Sequence, residues 1–393
     1  MPPPPAQNAV SPRLIEMDGR LAVLYPDLER QGFSIWTLEE SMCVSKFFSS
    51  LLDDHPFADL HRNFSLTFPS RISILIFFPP RPDDGVNTSD YYTMNYSEEN
   101  QGELQANRLR YLDGDNDDRS QKLYLRSAVN GLLCFCRYSG CGDDIEIHNL
   151  STRRHISLPT TCPDLRRDSR TRMNVCGLLG FDSISRRYKV LKSVQLTDHG
   201  DRHISVKHLV FTLGVDKSWR KIHSSPSFHP YNCFKTHFYF RTSVHIDGII
   251  YSLNSLNSDR FDDYSFDIVA FDVRTENFKA IPRPPNQYAV SPGLIEVDGR
   301  LAILQPRHPG NPNLARLGIS IWTLEESMVW TKQYYIRFPT PLLERISRPL
   351  FYNENVFFAS NCVAGEIAVL VTWMRAMSIL FYNLRTHTEL EKI

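Results

Sequence analysis

No apolar run in this 393-residue chain approaches the ~20 residues that a membrane-spanning helix needs. Its most apolar stretches, Ile72 to Phe78 and Ile367 to Trp373, have the length of strands. Net charge is also missing, because 44 Lys and Arg balance 44 Asp and Glu. No overall field therefore draws the chain to nucleic acid or to an anionic membrane. The 8 cysteines are scattered and form no disulfide framework. Cys134, Cys136 and Cys141 lie where a strand runs into a Gly-rich turn. They lack the paired CxxC spacing of a zinc site, so buried or half-buried thiols are expected and no metal. The opening Met1 to Pro5 is a proline run without the basic and apolar regions of a secretory signal, so the expectation is an intracellular protein, cytoplasmic or nuclear.

Catalytic signatures are equally scarce. The sequence contains no Gly-rich phosphate loop, HExxH, GxSxG or EF-hand pattern, so no enzyme and no cofactor are expected. His199, His203 and His208 fall in or near a polar loop and read as solvent-facing or capping residues. The basic stretch Arg166 to Arg172 is interrupted by Asp168, preceded by Asp164 and free of aromatics, which fits a solvated loop better than a nucleic-acid platform.

What the chain does contain is repetition. A strand, a short polar turn and a second strand recur at Ile145 to Pro159, Leu178 to Val194, Leu209 to Ser225, Ile268 to Pro282, Ile319 to Ile336 and Ser378 to Ile393. Several of these hairpins follow another strand that opens on a glycine turn: Asn130-Gly131, Asp247-Gly248, Asp298-Gly299 and Ala364-Gly365. Asn-Gly and Asp-Gly supply the positive φ angles of two-residue hairpin turns, and the flanking apolar runs are too short for helices. Each unit is thus a small antiparallel sheet of three or four strands.

One such sheet cannot bury both of its faces, whereas a ring of them packs face to face. The reading is all-β: a β-propeller-like ring of about five or six small sheets, with a stacked sandwich as the competing architecture. Tyr251, Phe271, Phe278, Trp322 and Trp330 are the expected inter-sheet filling. Recognition in such a ring falls to its longer connections, here Thr160 to Asn174, Thr197 to His203, Asn254 to Tyr264 and Gln305 to Leu317.

A second, much closer repeat sits at the start. Ala9 to Met42 nearly duplicates Ala289 to Met328, differing mainly in a longer loop around Gly310 of the second copy. Residues 1–42 therefore read as a grafted strand hairpin, marginal by itself. Between the graft and the ring, Val44, Phe47, Phe48, Leu51 and Leu52 recur at helical spacing until Pro56, and a second short helix is expected around Leu60.

These residues resemble a known family, the plant F-box proteins with a C-terminal F-box-associated domain of the β-propeller-like type 3. The resemblance runs from about Cys43 to the end of the chain. Its landmarks are NGLLCF at Asn130 to Phe135, HNLSTRRHISLP at His148 to Pro159, GFDSISRRYKVL at Gly180 to Leu191, SWRKI at Ser218 to Ile222, DGIIYSL at Asp247 to Leu253 and FDVRTENFKAIPRP at Phe271 to Pro284. The paired GRLAIL and SIWTLEE segments complete them.

The resemblance implies a domain order. Residues 43–71 would be the last helix of an F-box with the segment that follows it, and residues 72–393 the F-box-associated domain. It also implies a Skp-type adaptor bound through Val44, Phe47, Phe48 and Leu51, and a protein substrate held by the propeller for a ubiquitin ligase. One departure stands against this. The leucine-proline start and the earlier F-box helices are replaced by the strand graft, which removes most of the adaptor-binding area. Two readings stay open: a ligase receptor, or a freestanding protein-binding propeller.

Overall fold

The computed structural model describes the chain from residue 122 to residue 392 apart from stretches of its connections, and before that chiefly the backbone of six strands. Side chains are described mainly from residue 125 to residue 337 and at a few positions near the C-terminus. The helical stretch expected at 43–71, with Val44, Phe47, Phe48 and Leu51, lies outside the described residues. The chain divides into two compact units, Met1–Arg71 and Ile72–Ile393.

The first unit holds one antiparallel sheet of β1 (Arg13–Met17), β2 (Arg20–Asp27) and β3 (Gly32–Thr37). A hairpin is too small a description, since GFSIWT pairs along β2 as a third strand from Ala22↔Thr37 to Asp27↔Gly32. Each strand carries adjacent apolar residues, Leu14-Ile15, Leu21 to Tyr25 and Ile35-Trp36, the sequence pattern of strands rather than of a polar linker.

In the second unit the described residues form six sheets, called blades here in chain order. Blade one has three strands, β4 (Ser73–Phe78), β5 (Asp90–Tyr96) and β6 (Leu104–Arg108). Blade two has β7 (Lys122–Val129), β8 (Leu132–Tyr138), β9 (Ile145–Asn149) and β10 (Arg154–Ser157). Blade three has β11 (Thr171–Asp182), β12 (Arg187–Asp198), β13 (Ile204–Thr212) and β14 (Arg220–Lys221). Blade four has β15 (Ser243–Ile246), β16 (Ile249–Leu253), β17 (Ile268–Asp272) and β18 (Asn277–Ile281). Blade five has β19 (Gly293–Val297), β20 (Arg300–Pro306), β21 (Gly318–Leu324) and β22 (Trp330–Arg337). Blade six has β23 (Val356–Val363), β24 (Glu366–Trp373), β25 (Ala376–Asn383) and β26 (Thr388–Lys392). Every pairing is antiparallel between sequence neighbours, so each blade is a simple meander.

Two boundaries differ from the repeat pattern. The segments from Leu178 and from Leu209 are not separate units but the two halves of blade three, because β12 pairs with β13 from Lys189↔Thr212 to Thr197↔Ile204. β11 also begins at Thr171, so the connection read as Thr160 to Asn174 ends four residues earlier, at Arg170. Both misreadings come from strands of 12 residues, longer than the 5–6 usual in a sheet.

The hairpin turns obey the Asn-Gly rule. Asn130 and Gly131 have φ of 50° and 78°, Asp247 and Gly248 45° and 81°, and Asp298 and Gly299 48° and 75°. Two consecutive positive φ values make the turn whose twist matches the strands it joins. The polar turns use a side chain instead: Asp272 Oδ1 accepts the N–H groups of Arg274 and Thr275 at 2.8 and 3.0 Å.

Blades two to six pack face to face through four successive apolar layers. Between blades two and three lie Val129, Ile145 and Ile147 against Leu179, Val190 and Phe211. The opposite face of blade three, Leu178, Leu191 and Val210, meets Ile250, Phe271 and Val273 of blade four. Since Leu178↔Leu191↔Val210 and Leu179↔Val190↔Phe211 are adjacent cross-strand rows, the doublets LL, VL and VF are what a sheet buried on both faces requires. Blades four and five share Ile246, Ile268, Leu294 and Ile303, and blades five and six share Ile295, Ile321, Ile367 and Val369.

Close approach depends on glycine at two places. A Cβ on Gly180 would lie 2.4 Å from Val273 Cγ2 and 2.9 Å from Ile250 Cδ1 of blade four, and one on Gly318 would lie 2.2 Å from the Ile336 carbonyl oxygen. Gly180→Ala is expected to destabilise the protein by about 1–3 kcal/mol, the cost of one extra methyl in a packed layer. It should read out as a lower urea midpoint at unchanged slope; an unchanged midpoint would mean that blades three and four do not meet there.

Candidate recognition face

In a four-stranded meander the first and third turns share one end, and the middle connection and the exit to the next blade share the other. Neighbouring blades set these ends side by side. The Leu179 N–H donates to Ser127 Oγ at 2.7 Å, and the Phe181 N–H donates to His245 Nε2 at 3.1 Å. Each of these residues lies a few positions before the first turn of its own blade. The tight turns of blades two, three and four therefore gather at one end. The connections read as recognition loops leave from the opposite end of their blades: the exit from blade two, and the middle connections of blades three, four and five.

The stem of the blade-four connection is pinned. The Asn254 N–H donates to the Asp267 carbonyl at 2.8 Å, Asn254 also bridges Pro230, and Arg283 Nε contacts Asp267 Oδ1 at 2.6 Å. At the mouth of the blade-five connection Gln305 is 4% exposed, and its Nε2 has no hydrogen-bond partner among the described residues. A rigid stem under a long connection is the usual arrangement for loops that bind.

Two indole latches join blades along the outer strands. Trp219, immediately before blade three's last strand, donates Nε1–H to the Pro159 carbonyl that follows the last strand of blade two, at 2.5 Å. Trp330 repeats this from blade five to the Pro282 carbonyl of blade four at 2.7 Å. Blades three and four are joined by charge instead. Arg220 holds Glu276 with two parallel bonds of 3.0 and 2.9 Å and reaches Asp216 at 3.1 Å, and Lys189 approaches Glu276 at 2.8 Å.

Partial burial works against ionisation of Glu276, but the cations Arg220 and Lys189 outweigh it and hold the carboxyl below its usual range. For Asp216 the burial effect is likewise outweighed, by the Thr212 N–H and Arg220. At Asp182 the Ser185 hydroxyl and the turn N–H groups do the same. A carboxyl whose folded value is depressed stabilises the protein above its unfolded pKa, and that contribution is lost as pH falls through the folded value.

The interior is less bland than its apolar layers. Cys134 and Cys136 are fully buried; the Gly177 N–H donates to Cys136 Sγ at 3.1 Å, and Cys134 Sγ donates to the Gly177 carbonyl at 3.5 Å. Burial, with Cys136 and Cys176 nearby, pushes the Cys134 thiol up, which makes it a poor nucleophile. Cys141 lies outside the described residues. Among the described residues no group of three or more His, Cys, Asp or Glu is placed to hold a metal.

His208 is a correction. It is 1% exposed within β13, bonded through Nδ1 to Ser193 Oγ at 2.8 Å and set against the rings of Phe228 and Phe278 at 5.8 and 4.8 Å. The loop ends at His203, and the strand alternation that begins at Ile204 turns His208 toward blade four. His199 and His203 lie outside the described residues. Sequence reasoning also missed the Arg220–Glu276 clamp, whose only trace was an Arg beside the Trp of SWRKI.

Like blades packed face to face in chain order define a propeller, and in blades two, four and five the longer connections share one end. The model of the F-box associated β-propeller domain matches residues 86–391, and the chain belongs to that family. Relatives from Arabidopsis thaliana include an F-box protein 26% identical over 382 residues, covering 91% of this chain and 84% of its own length. An F-box/LRR-repeat protein is 23% identical and covers 92% and 78%. The chain spans only 57%, 65% and 47% of the length of three other F-box relatives. Among solved structures, a polysaccharide lyase (an ulvan lyase) superposes with a TM-score of 0.43 at 10% identity over 80% of each chain, and the propeller domain of a Pyrococcus furiosus protease with 0.32 at 9% over 83% of this chain and 96% of that one. Among the described residues no helix is long and apolar enough to cross a membrane.

Two outcomes follow from the links between blades. Trp219→Phe and Trp330→Phe should each cost about 1 kcal/mol in urea unfolding, the net worth of one hydrogen bond with most ring packing retained. Glu276→Gln should lower stability at pH 7 by up to about 1 kcal/mol, because the clamp is partly exposed. It should also flatten the fall in stability between roughly pH 5 and 3. An unchanged acid limb in Glu276→Gln would show that the clamp contributes nothing.

Proposed function

We propose that this chain is the substrate-holding part of an F-box receptor in a Skp/cullin/F-box ubiquitin ligase. The connections at the loop end of the propeller would hold the protein substrate, and the helical stretch around Val44, Phe47, Phe48 and Leu51 would meet the Skp-type adaptor. One observation carries the reading: the family match runs from before β5 of blade one into the last strand of blade six, and the long connections of blades two, four and five share one end. The names of the relatives, F-box proteins throughout, support the adaptor half.

A second reading is favoured by a specific feature. Residues 13–37 form a sheet where the family resemblance calls for the first F-box helices, which would leave a protein-binding propeller without a ligase. Pull-down of the full chain with purified Skp adaptor separates the two. A receptor retains the adaptor and loses it, by at least tenfold, on Val44→Asp or Phe48→Asp, since each buries a charge in an apolar contact. No retention by the natural chain, with retention once residues 1–42 are replaced by a complete F-box start, would establish the freestanding reading.

A further inference from the structure

The N-terminal sheet is not merely similar in sequence to blade five; it is paired identically. Arg13↔Leu24 corresponds to Gly293↔Leu304, Ala22↔Thr37 to Ala302↔Thr323, and Pro26↔Phe33 to Pro306↔Ile319. The two copies therefore place corresponding residues at corresponding register positions.

The residues it keeps are those that blade five buries. β19, β20 and β21 contribute ten residues to the layers shared with blades four and six. Seven have identical counterparts in β1–β3 and Leu38, and the other three change only among apolar types: Val297 to Met17, Ile303 to Val23 and Ile319 to Phe33. The connection between the second and third strands, which supplies none of these ten residues, is 11 residues long in blade five (307–317) and 4 in the copy (28–31).

One feature fits a strand that the described residues of the first sheet do not include. Gly318 must lack a Cβ because the Ile336 carbonyl of β22 and the Tyr335 ring stand against it. The copy keeps glycine at that position, Gly32, although the described part of its sheet ends at β3. Among the described residues the N-terminal sheet thus matches the first three strands of blade five in register, in the residues that blade five buries against blades four and six, and in the glycine that faces β22.

We propose that β1–β3 are a spare blade: within one chain they can enter the place of β19–β21, between blades four and six and paired to β22, with β19–β21 displaced. Two packings that share register and most buried residues differ by little free energy, which is the condition for a chain to populate both. The tether through residues 43–71 makes the exchange intramolecular and independent of protein concentration.

A double-mutant cycle in the full chain tests this by hydrogen exchange and urea unfolding. Leu294→Asp with Ile295→Asp puts a carboxylate into each layer beside blade five. The proposal predicts that this variant keeps a cooperative transition, while amide protection moves from residues 293–324 to residues 13–37. Leu14→Asp with Ile15→Asp should leave protection at 293–324 unchanged, and all four substitutions together should abolish the transition. The proposal is overturned if the Leu294/Ile295 variant unfolds as completely as the fourfold one, if the fourfold one stays as folded as the Leu294/Ile295 variant, or if protection at 13–37 appears only in a concentration-dependent dimer.

Discussion

Everything in this protein rests on sheets that are apolar on both faces and can bury them only against one another. Blade three shows the constraint most clearly. Leu178, Leu191 and Val210 face blade four while their immediate neighbours Leu179, Val190 and Phe211 face blade two. Burying one such side chain contributes about 1.5–3 kcal/mol, and a blade removed from its neighbours would forfeit several at once. No blade is therefore an independent unit, and the latches of Trp219 and Trp330 and the Arg220–Glu276 clamp reinforce an order that apolar packing imposes.

That constraint explains what was legible in the sequence. Doublets of apolar residues between Asn-Gly or Asp-Gly turns specify two-faced strands, and Asp247-Gly248 and Asp298-Gly299 turn as their residue types require. The aromatics expected between sheets largely lie there, with Phe271 and Trp330 buried and Phe278 and Trp322 packed beside them. Tyr251 does the same, burial holding its hydroxyl pKa up.

What stayed hidden is tertiary. His208 carries no sign in its neighbours that Phe228 and Phe278 will enclose it, because those rings come from positions 20 and 70 residues away. The 12-residue strands of blade three merged what looked like two modules, since length alone does not say where one sheet ends. The loops chosen for recognition were drawn from length and polarity, and only the meander order shows that they leave from one end.

Membership of the F-box associated β-propeller family and the layout of blades two, four and five agree: one end of these blades is spent on short turns, and the other carries the long connections. The N-terminal sheet, with the register of blade five and the residue types that blade five buries, is the part of the chain that this layout does not explain, and the exchange proposed for it uses the same packing constraint. The most direct test of the account is native-state hydrogen exchange across the middle strands of blades two to five. Interdependent faces predict that the slowest amides of β8, β12, β16 and β20 open with one shared free energy, equal to that of global unfolding. A separate, lower opening free energy for each blade would contradict it.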